Sequence, residues 1–341
     1  MNAAADSALP RMLRLVLALG AGVLLILPWL ELDNEPYYLQ LLTQMMILAI
    51  LAMSLDLLQG VTGLVSLGHA AFFGLAGYVL ALLTPAGEPV ALWWTLPLAV
   101  GICAVVAAVI GFFVVRTRGI YFIMATMAFG QMLYFLFFDH KALGGSDGLY
   151  VAWRPHMRGW GERALLDLDD PLVRYYLALL MLVGVFLFLR RMLGSPFGRV
   201  LVGIRLNEHR LRAVGHPTTR YKLAAFTLAG ALAGLAGYLW ALHSGFVNPE
   251  LLGFHQSAHT IMMVILGGMG NFAGAIVGAF AFEALLHVAK DLTKHWQLLV
   301  GGFIVLVVIV APKGLVELLT RRPTVRRAAH PSPPATEGHH G

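Results

Sequence analysis

The chain has 341 residues, of which 59% are hydrophobic and only 12% are charged, and its mean hydropathy is +0.76. Soluble globular proteins carry about 25% charged residues, and a soluble fold of this length could not cover so much apolar surface. The composition therefore excludes a water-soluble fold. The net charge of +6 does not predict a nucleic-acid partner, because the basic residues follow a membrane topology instead.

Apolar segments long enough to cross a bilayer recur along the whole chain. Arg11 and Arg14 lead into the first of them, which we interpret as a retained span rather than a cleaved signal. The segments lie at about 12–30, 38–59, 61–83, 91–115, 119–138, 172–193, 220–243, 257–290 (crossing twice) and 297–312. They predict an all-α, polytopic transmembrane helical bundle of roughly 8–10 spans within a lipid bilayer.

The distribution of lysine and arginine predicts the orientation of this bundle. With the N-terminus inside, 17 of the 24 basic residues lie on the inner side and 7 on the outer side. Cytoplasmic loops carry the excess of lysine and arginine, so we expect both termini in the cytoplasm. Residues 1–11 then form a cytoplasmic N-terminus, 12–320 the transmembrane domain, and 321–341 a disordered tail rich in proline. The outer segment 139–171 is long enough for a folded cap or a docking surface, although a plain connecting loop is equally compatible.

Two glycine-rich stretches resemble each other, VTGLVSLGHAAFFGLAGY at 61–78 and VILGGMGNFAGAIVGAF at 264–280. Aligned at Gly68 and Gly270, each continues with a polar residue and then small and aromatic ones. Repeats built on interrupted helices often line transport paths, but glycines also permit close helix packing. Both stretches are therefore candidates for broken or re-entrant helices. The candidate path or break residues are Gly68, His69, Phe72, Gly267, Gly268, Gly270 and Asn271.

Few ionisable residues interrupt the apolar segments, and we interpret them chiefly as satisfied polar groups that hold helices together. Asp56 and His69 flank the first glycine-rich stretch and can cap its breaks, whereas Glu283 and His287 lie one turn apart and can pair. A proton relay is an alternative role that no residue singles out.

Catalytic and metal sites are not predicted. His255 and His259 have the i, i+4 spacing of helical zinc ligands, but no third ligand lies nearby. Cys103 is the sole cysteine, which excludes an intrachain disulfide. The phosphate-loop pattern is absent, so we expect no bound cofactor and no nucleotide hydrolysis by this chain.

A charged segment at 197–222 separates two long apolar runs and has the pattern of an amphipathic helix. Val200, Ile204, Leu211 and Val214 share one helical face, and Gly215 is a plausible end of the helix. This helix is too short to cross a bilayer and should lie along its cytoplasmic surface. Pattern alone leaves open whether it only anchors a loop or docks into a cytoplasmic partner.

Seven segments together resemble the permease subunits of branched-chain amino-acid ABC importers, in order and at the expected spacing over about 38–320. They are LVSLGHAAFFGLAGY, RGIYFIMATMAFGQ, GGSDGL, FGRVLVGIRLNEHRLRAVG, RYKLAAFTLAGALAGLAGYLWALHSGFVNPE, VILGGMGNFAGAIVGA and APKGL. Leu206 departs from the pattern, because an acidic residue is frequent there. Arg210 and Arg212 also depart and make the segment more basic.

The resemblance implies a multi-pass permease in the inner or plasma membrane of a bacterium, working by alternating access. Its implied partners are a homologous second permease subunit in a heterodimer, two cytoplasmic ATPase subunits that use ATP and Mg, and an extracytoplasmic solute-binding protein. Segment 197–215 would then be the coupling helix that contacts the ATPase, with Arg205, Glu208 and Arg210 bonding to the partner. The implied coupling residues are Ile204, Arg205, Asn207, Glu208, Arg210 and Gly215.

The solute itself is not readable from the sequence. Branched-chain or other hydrophobic amino acids are the first expectation, and urea or a short amide on the same scaffold is the nearest alternative. An ion-coupled secondary transporter is a further alternative that would need no ATPase. A membrane-embedded enzyme using His255 and His259 lacks the ligand set that its chemistry would require.

Overall fold

The computed structural model describes residues 11–29, 35–84, 90–155, 157–158, 164–166, 168–311 and 314–316. The predicted tail at 321–341, and all of the predicted N-terminal segment except Arg11, lie outside the described residues. The helices are α1 Arg11–Ile26, α2 Glu35–Asp56, α3 Ala70–Leu83, α4 Leu92–Val114, α5 Ile120–Asp139, α6 Pro171–Gly194, α7 Pro196–Ala213, α8 Thr218–Ser244, α9 Phe254–Gly267, α10 Phe272–Leu292 and α11 Trp296–Val310. The strands are β1 Leu149–Tyr150, β2 Met157–Arg158, β3 Ala164–Leu166 and β4 Phe246–Val247.

The predicted all-α polytopic bundle is confirmed. Six helices of the described chain are long and apolar enough to cross a membrane, namely 36–62, α4, α5, α6, α8 and α10. Three shorter apolar helices accompany them, at Leu19–Trp29, Ala70–Leu83 and Trp296–Val307. The bundle therefore combines full-length spans with segments that cannot cross alone.

Helices α2 and α8 lie at the centre of the bundle, where α8 packs closely against α2, α3 and α4. Small residues permit this approach. A Cβ placed on Gly237 would lie 1.8 Å from the carbonyl oxygen of Phe73, and one on Gly234 would lie 2.7 Å from the Cβ of Cys103. The glycines of α8 thus serve close backbone packing.

Both glycine-rich stretches interrupt helices, which confirms the predicted breaks. After Asp56 the chain forms a π-helical turn, Leu57–Thr62, and Gly63 ends it in the left-handed region at φ +79°. Helix α3 begins only at Ala70 and has 14 residues, so it extends about 21 Å and is shorter than the roughly 30 Å bilayer core. Segment 61–83 is therefore not one continuous span. The second break separates α9, also of 14 residues, from α10.

Segment 139–171 contains short ordered elements rather than one extended connection. Strand β1 pairs with β4 in an antiparallel register that sets Leu149 opposite Val247, and β2 pairs with β3. Arg154 reaches back to donate from Nε to the carbonyl oxygen of Leu242, 3.3 Å away, and forms a 3.3 Å ion pair with Asp169. These contacts hold the segment on the ends of the helices.

Helix α7 is kinked, which corrects the prediction of one continuous amphipathic helix over 197–215. Asn207 has non-helical dihedral angles, φ −162° and ψ 95°, and its Oδ1 accepts a hydrogen bond from the Arg210 backbone N–H at 3.0 Å. Asparagine is a preferred N-cap residue, so it starts a second helical piece here. The predicted face is consequently divided: Ile204 is buried, whereas Val214 is 73% exposed.

Candidate functional site

The two ends of the bundle carry different structures, which we call the α7 side and the strand side. On the α7 side, the connection between α4 and α5 meets α7, where Arg118 lies 3.9 Å from Glu208 and its guanidinium lies 3.3 Å from His209 Nε2. On the strand side, β1 and β4 join the segment after α5 to the end of α8. The candidate site extends from the α7 side into the bundle.

Four residues from three segments that are distant in sequence meet at the α7 side, and we call them the Asp56 junction: Asp56, Gly60, Arg205 and Gly270. The backbone N–H of Gly270 donates to Asp56 Oδ1 at 2.7 Å. Arg205 of α7 donates from Nη1 to the carbonyl oxygen of Gly60. The junction therefore joins α7, the end of the α2 span and the break before α10.

Glycine is required at two positions of the Asp56 junction. A Cβ on Gly60 would lie 1.9 Å from Asp56 Oδ1 and 2.3 Å from the nitrogen of Gly270. Gly270 itself has φ +86°, a conformation that residues with side chains rarely adopt. The side chain of Arg205 also covers Gly63, whose Cβ would lie 3.2 Å from Arg205 Cγ. The junction is thus closely packed around backbone atoms.

The break before α10 is built from further predicted residues. Asn271 caps α10, because its side chain accepts from the Ala273 backbone N–H at 3.1 Å. Gly267 lies against Gly274, and a Cβ on Gly267 would lie 1.9 Å from the Gly274 carbonyl oxygen. Gly268 has φ +112°. The break is therefore shaped by glycine conformation and by one side-chain cap.

The break before α3 lies deeper in the bundle and is polar. His69 is fully buried, and its Nε2 lies 2.8 Å from Ser54 Oγ of α2. The backbone N–H of Ala70 donates to Ser257 Oγ of α9 at 3.1 Å. Phe72 packs edge-on against the His69 ring, with 6.1 Å between centroids. The start of α3 is thereby bonded to both α2 and α9.

Gly68 and Gly270, which the sequence aligns as equivalent, occupy different surroundings. A Cβ on Gly68 would lie 1.9 Å from the Thr126 carbonyl oxygen of α5, whereas Gly270 packs on Gly60 and Arg205. Helix α2 contacts both breaks, through Ser54 to the first and through Asp56 to the second. It is α2, rather than a repeat symmetry, that connects the two groups of predicted residues.

Glu208 is the centre of an ion-pair network within the chain. Its carboxylate accepts from Arg212 at 2.6 Å, from Lys222 at 2.7 Å and from Thr218 at 3.0 Å. Burial alone would raise the pKa of Glu208, but the hydrogen bonds from Lys222 and Thr218 and the positive charges of Lys222 and Arg212 outweigh burial and lower the pKa below its usual 4.5. Glu208 therefore fixes the second piece of α7 to the start of α8.

The predicted coupling residues divide into those that contact their own chain and those that face outward. Ile204 is buried, Arg205 bonds to Gly60, Asn207 caps and Glu208 is paired within the chain. Gly215 follows α7 in the left-handed region at φ +91°. Exposed side chains of this segment include Leu206 at 79%, Val214 at 73% and Arg210, and Arg205 and Asn207 are also exposed despite their bonds within the chain. The exposed surface of this segment therefore sets two apolar side chains beside polar and basic ones.

The intramembrane ionisable residues have partners other than those that the sequence suggests. Glu283 accepts from Gln44 Nε2 at 2.8 Å, while His287 bonds to the hydroxyl of Tyr37, so the expected Glu283–His287 pair is absent. Asp56 does bond at a break, but at the second one rather than at the adjacent first one. Within the described ranges, no group of three or more His, Cys, Asp or Glu residues is arranged to hold a metal ion.

Sequence reasoning identified Asp56 as an unusual intramembrane residue but did not place it at a site, and it missed Gly60, Ser54 and Ser257. Ser and Gly are frequent in membrane helices, so neither residue type stands out there. One sequence feature did point to this site. Arg205 lies two residues before the kink at Asn207, and a guanidinium group there needs an acceptor nearby. Only the fold shows that the acceptor is Gly60.

Comparison with known proteins identifies similar permeases. Residues 37–310 match a family described as branched-chain amino acid transport system/permease component. The high-affinity branched-chain amino acid transport system permease protein LivM of Salmonella typhimurium is 33% identical over 294 residues, which cover 81% of this chain and 69% of that protein. LivM of Escherichia coli is 32% identical with the same coverage, and a probable LivM of Methanocaldococcus jannaschii is 30% identical over 39% of this chain and 43% of that protein. No solved structure matches the chain.

Proposed function

Because this chain belongs to the family of branched-chain amino acid transport system permease components, we propose that it is the membrane subunit of an ATP-binding-cassette importer and forms half of its pore. The observation that carries this proposal is the family match over 37–310, which runs from the third residue of α2 to the end of α11. A homologous second permease subunit supplies the other half, and an extracytoplasmic solute-binding protein delivers the solute. Two separate ATPase subunits bind ATP and Mg.

The proposal puts the α7 side in the cytoplasm. Arg116 and Arg118 lie on that side together with the basic residues of α7, and 17 of the 24 lysines and arginines fall there under the positive-inside rule. The strand side, with β1 and β4, then faces the exterior, and both termini are cytoplasmic.

The ATPase contact is the outward surface of α7. Leu206 and Val214 are apolar, strongly exposed and outside the spans, so burying them in a groove of a partner is favourable. Arg210 adds a positive charge that can pair with a carboxylate of the partner. Glu208 and Asn207 support this role, because they fix α7 in one kinked shape and thereby reduce the conformational entropy that docking costs.

Movement of α7 reaches the pore through the Asp56 junction. When the ATPases close on ATP and shift α7, Arg205 carries the motion to Gly60, and Asp56 carries it to Gly270. Ser54, on the same helix as Asp56, is bonded to His69 at the other break. The two breaks then change together, as alternating access between two discrete arrangements requires.

We assign branched-chain amino acids as the solute, because that is the solute named for relatives that match over 81% of this chain. Urea or a short amide is the second candidate on the same scaffold. An ion-coupled secondary transporter differs from both, because it would concentrate its solute without ATPase subunits.

The test is ATP-driven uptake of L-leucine into proteoliposomes that contain the chain, its sister permease, the ATPases and the binding protein. Uptake should need ATP on the α7 side and should disappear when the ATPases are omitted.

Leu206→Asp should abolish co-purification of the ATPases, while Leu206→Met, which keeps an apolar side chain of similar size, should retain it. Uphill uptake by the permease pair alone would overturn the proposal, and exclusive uptake of urea would overturn the solute assignment.

A further inference from the structure

A cavity of about 400 Å³ opens on the strand side and is not used by the Asp56 junction. It lies between the end of α8, β4, the 3₁₀ turn Pro249–Leu252 and the first turns of α9. Sites for small molecules usually have volumes of about 300–1,000 Å³. The cavity is therefore large enough for one free amino acid.

One wall of the cavity is apolar and held in place by aromatic contacts. Trp240 packs against Phe73 of α3 with 5.7 Å between ring centroids, and Phe246 packs against Tyr150 at 4.9 Å. Both rings are partly exposed toward the cavity. Such a wall can cover the side chain of an aliphatic amino acid and remove it from water.

The polar part of the lining has one carboxylate among hydrogen-bond donors. Glu250 is exposed, and its one hydrogen bond within the described chain is accepted from Asn248 Nδ2 at 3.4 Å. It takes part in no ion pair among the described residues. His255 and Gln256 line the cavity beside it and supply N–H groups. The Glu250 carboxylate can accept from the ammonium group of a ligand, and the neighbouring N–H groups can donate to a carboxylate of the same ligand.

The cavity adjoins the break before α3. Ser257, adjacent in sequence to Gln256, is fully buried and bonds to the Ala70 N–H at the start of α3. Leu252 of the 3₁₀ turn packs on α3 so closely that a Cβ on Gly74 would lie 2.5 Å from its Cγ. The first turns of α9 therefore contribute both to the lining of the cavity and to the start of α3.

From this arrangement we propose that the cavity is the outer binding site of the permease for a zwitterionic amino acid with an aliphatic side chain. Glu250 receives the ammonium group, Asn248, His255 and Gln256 donate to the carboxylate, and Trp240 and Phe246 cover the side chain. This proposal rests on the proposed function, which sets the strand side outside. It selects amino acids over urea, because urea offers neither an ammonium group nor an apolar chain to these walls.

The sole cysteine makes a direct test available. Cys103 is fully buried, so Ser244→Cys introduces one accessible thiol at the rim of the cavity. The rate at which a charged methanethiosulfonate reagent modifies this thiol is measured on the assembled permease–ATPase complex in nanodiscs without binding protein. The probes are L-leucine, 4-methylpentanoate, which lacks the ammonium group, and urea, each at the same concentration.

L-leucine should slow the modification about tenfold, and the other two probes should leave the rate unchanged. Glu250→Gln should remove most of the protection by leucine, measured against the rate of the same variant without leucine, and an unchanged thermal unfolding temperature in detergent shows that the variant is folded. The matched control Asp147→Asn changes an exposed carboxylate on the same side but outside the cavity, and it should keep the protection.

Absence of protection by leucine, or equal protection by 4-methylpentanoate or urea, would overturn the proposal. Protection that survives Glu250→Gln would overturn the role of Glu250. Leucine uptake by the unmodified complex tests the proposed importer function independently of the thiol-protection assay. If the importer carries leucine but the thiol is not protected, the cavity assignment fails and the importer assignment stands.

Discussion

Asp56 and Gly270, 214 positions apart in the sequence, are joined by a 2.7 Å hydrogen bond from the Gly270 backbone N–H to the Asp56 carboxylate. The carboxylate is fully buried, and its Oδ2 has no hydrogen-bond partner among the described residues. Arg205 interacts with it electrostatically from α7. One buried carboxyl group thus bonds to a helix break on one side and faces the surface helix on the other.

Replacing Asp56 should weaken both the fold and transport. Asp56→Ala removes the acceptor of the Gly270 N–H, and because Gly270 itself is exposed, the loss should be that of an ordinary hydrogen bond, about 0.5–1.5 kcal/mol in the free energy of unfolding. Asp56→Asn keeps an oxygen acceptor for the Gly270 N–H but loses the carboxyl group that faces Arg205, so its effect should be smaller. The measurements are thermal unfolding in detergent and ATP-driven uptake.

If the junction transmits motion, both Asp56 variants should still co-purify with the ATPases while uptake falls. Wild-type uptake by Asp56→Ala would show that the Gly270 hydrogen bond is dispensable. Loss of ATPase co-purification would instead indicate that Asp56 acts by shaping α7.

Gly60→Ala should be among the most damaging single-methyl additions in the chain. The added Cβ would overlap Asp56 Oδ1 at 1.9 Å and the Gly270 nitrogen at 2.3 Å, and neither the short buried side chain nor the backbone can yield easily. Overpacking of this kind costs about 1–3 kcal/mol. Uptake and thermal stability should both decrease.

Gly184→Ala is the matched control for Gly60→Ala. Gly184 lies inside α6, and a Cβ there would have no atom within 4 Å. Alanine is also the better helix former, so this variant should be neutral or slightly stabilising. Equal behaviour of the two variants would contradict the close contact at Gly60.

Composition and hydropathy were sufficient to predict the helical membrane bundle, because a spanning helix needs only length and apolar side chains. The glycine clusters likewise predicted both helix breaks. The Asp56–Gly270 and Arg205–Gly60 contacts could not be predicted, because each joins segments that are distant in sequence and one partner in each is backbone. Backbone donors and acceptors carry no residue-specific signal.

Helix α7 shows a second limit of sequence reasoning. Periodicity placed Ile204 and Val214 on one face, but the Asn207 cap competes with the continuous helix and divides it. The charges of Arg205 and Glu208 suggested bonds to a partner, whereas the fold uses both within the chain. A side chain's charge indicates that it needs a counterpart, but not which molecule supplies it.

Glu208→Gln should destabilise the contact between α7 and α8. Lys222 is only 3% exposed and would lose its carboxylate partner. Breaking a fully buried pair costs about 3–5 kcal/mol, and the partial exposure of Glu208 should reduce this to about 2–3 kcal/mol. Adding Lys222→Met should recover much of the loss, because it removes the unpaired buried charge. A double-mutant cycle on unfolding free energies measures this coupling, and simple additivity of the two changes would contradict it.

The same network predicts a stability loss in acid. The folded-state pKa of Glu208 lies below 4.5, so the ionised network contributes stability in full above pH 4.5 and loses it as the pH falls through the folded pKa. Unfolding temperatures of the wild type and Glu208→Gln should therefore differ at pH 6 and converge as the pH falls below 4.5 and through the folded-state pKa. A difference that stays constant over this range would show that the charge of Glu208 is not the stabilising feature.

Two exposed positions test which side of the membrane each end of the bundle faces. Tyr150 on the strand side and Leu206 on the α7 side are 78% and 79% exposed, and the sole native cysteine is buried, so Tyr150→Cys and Leu206→Cys form a matched pair. An impermeant thiol reagent should label Tyr150→Cys in spheroplasts and leave Leu206→Cys unlabelled. In inverted vesicles stripped of peripheral subunits, the pattern should reverse, because the more basic end is retained in the cytoplasm. Labelling of Leu206→Cys in spheroplasts would invert the topology and would remove α7 from reach of a cytoplasmic ATPase.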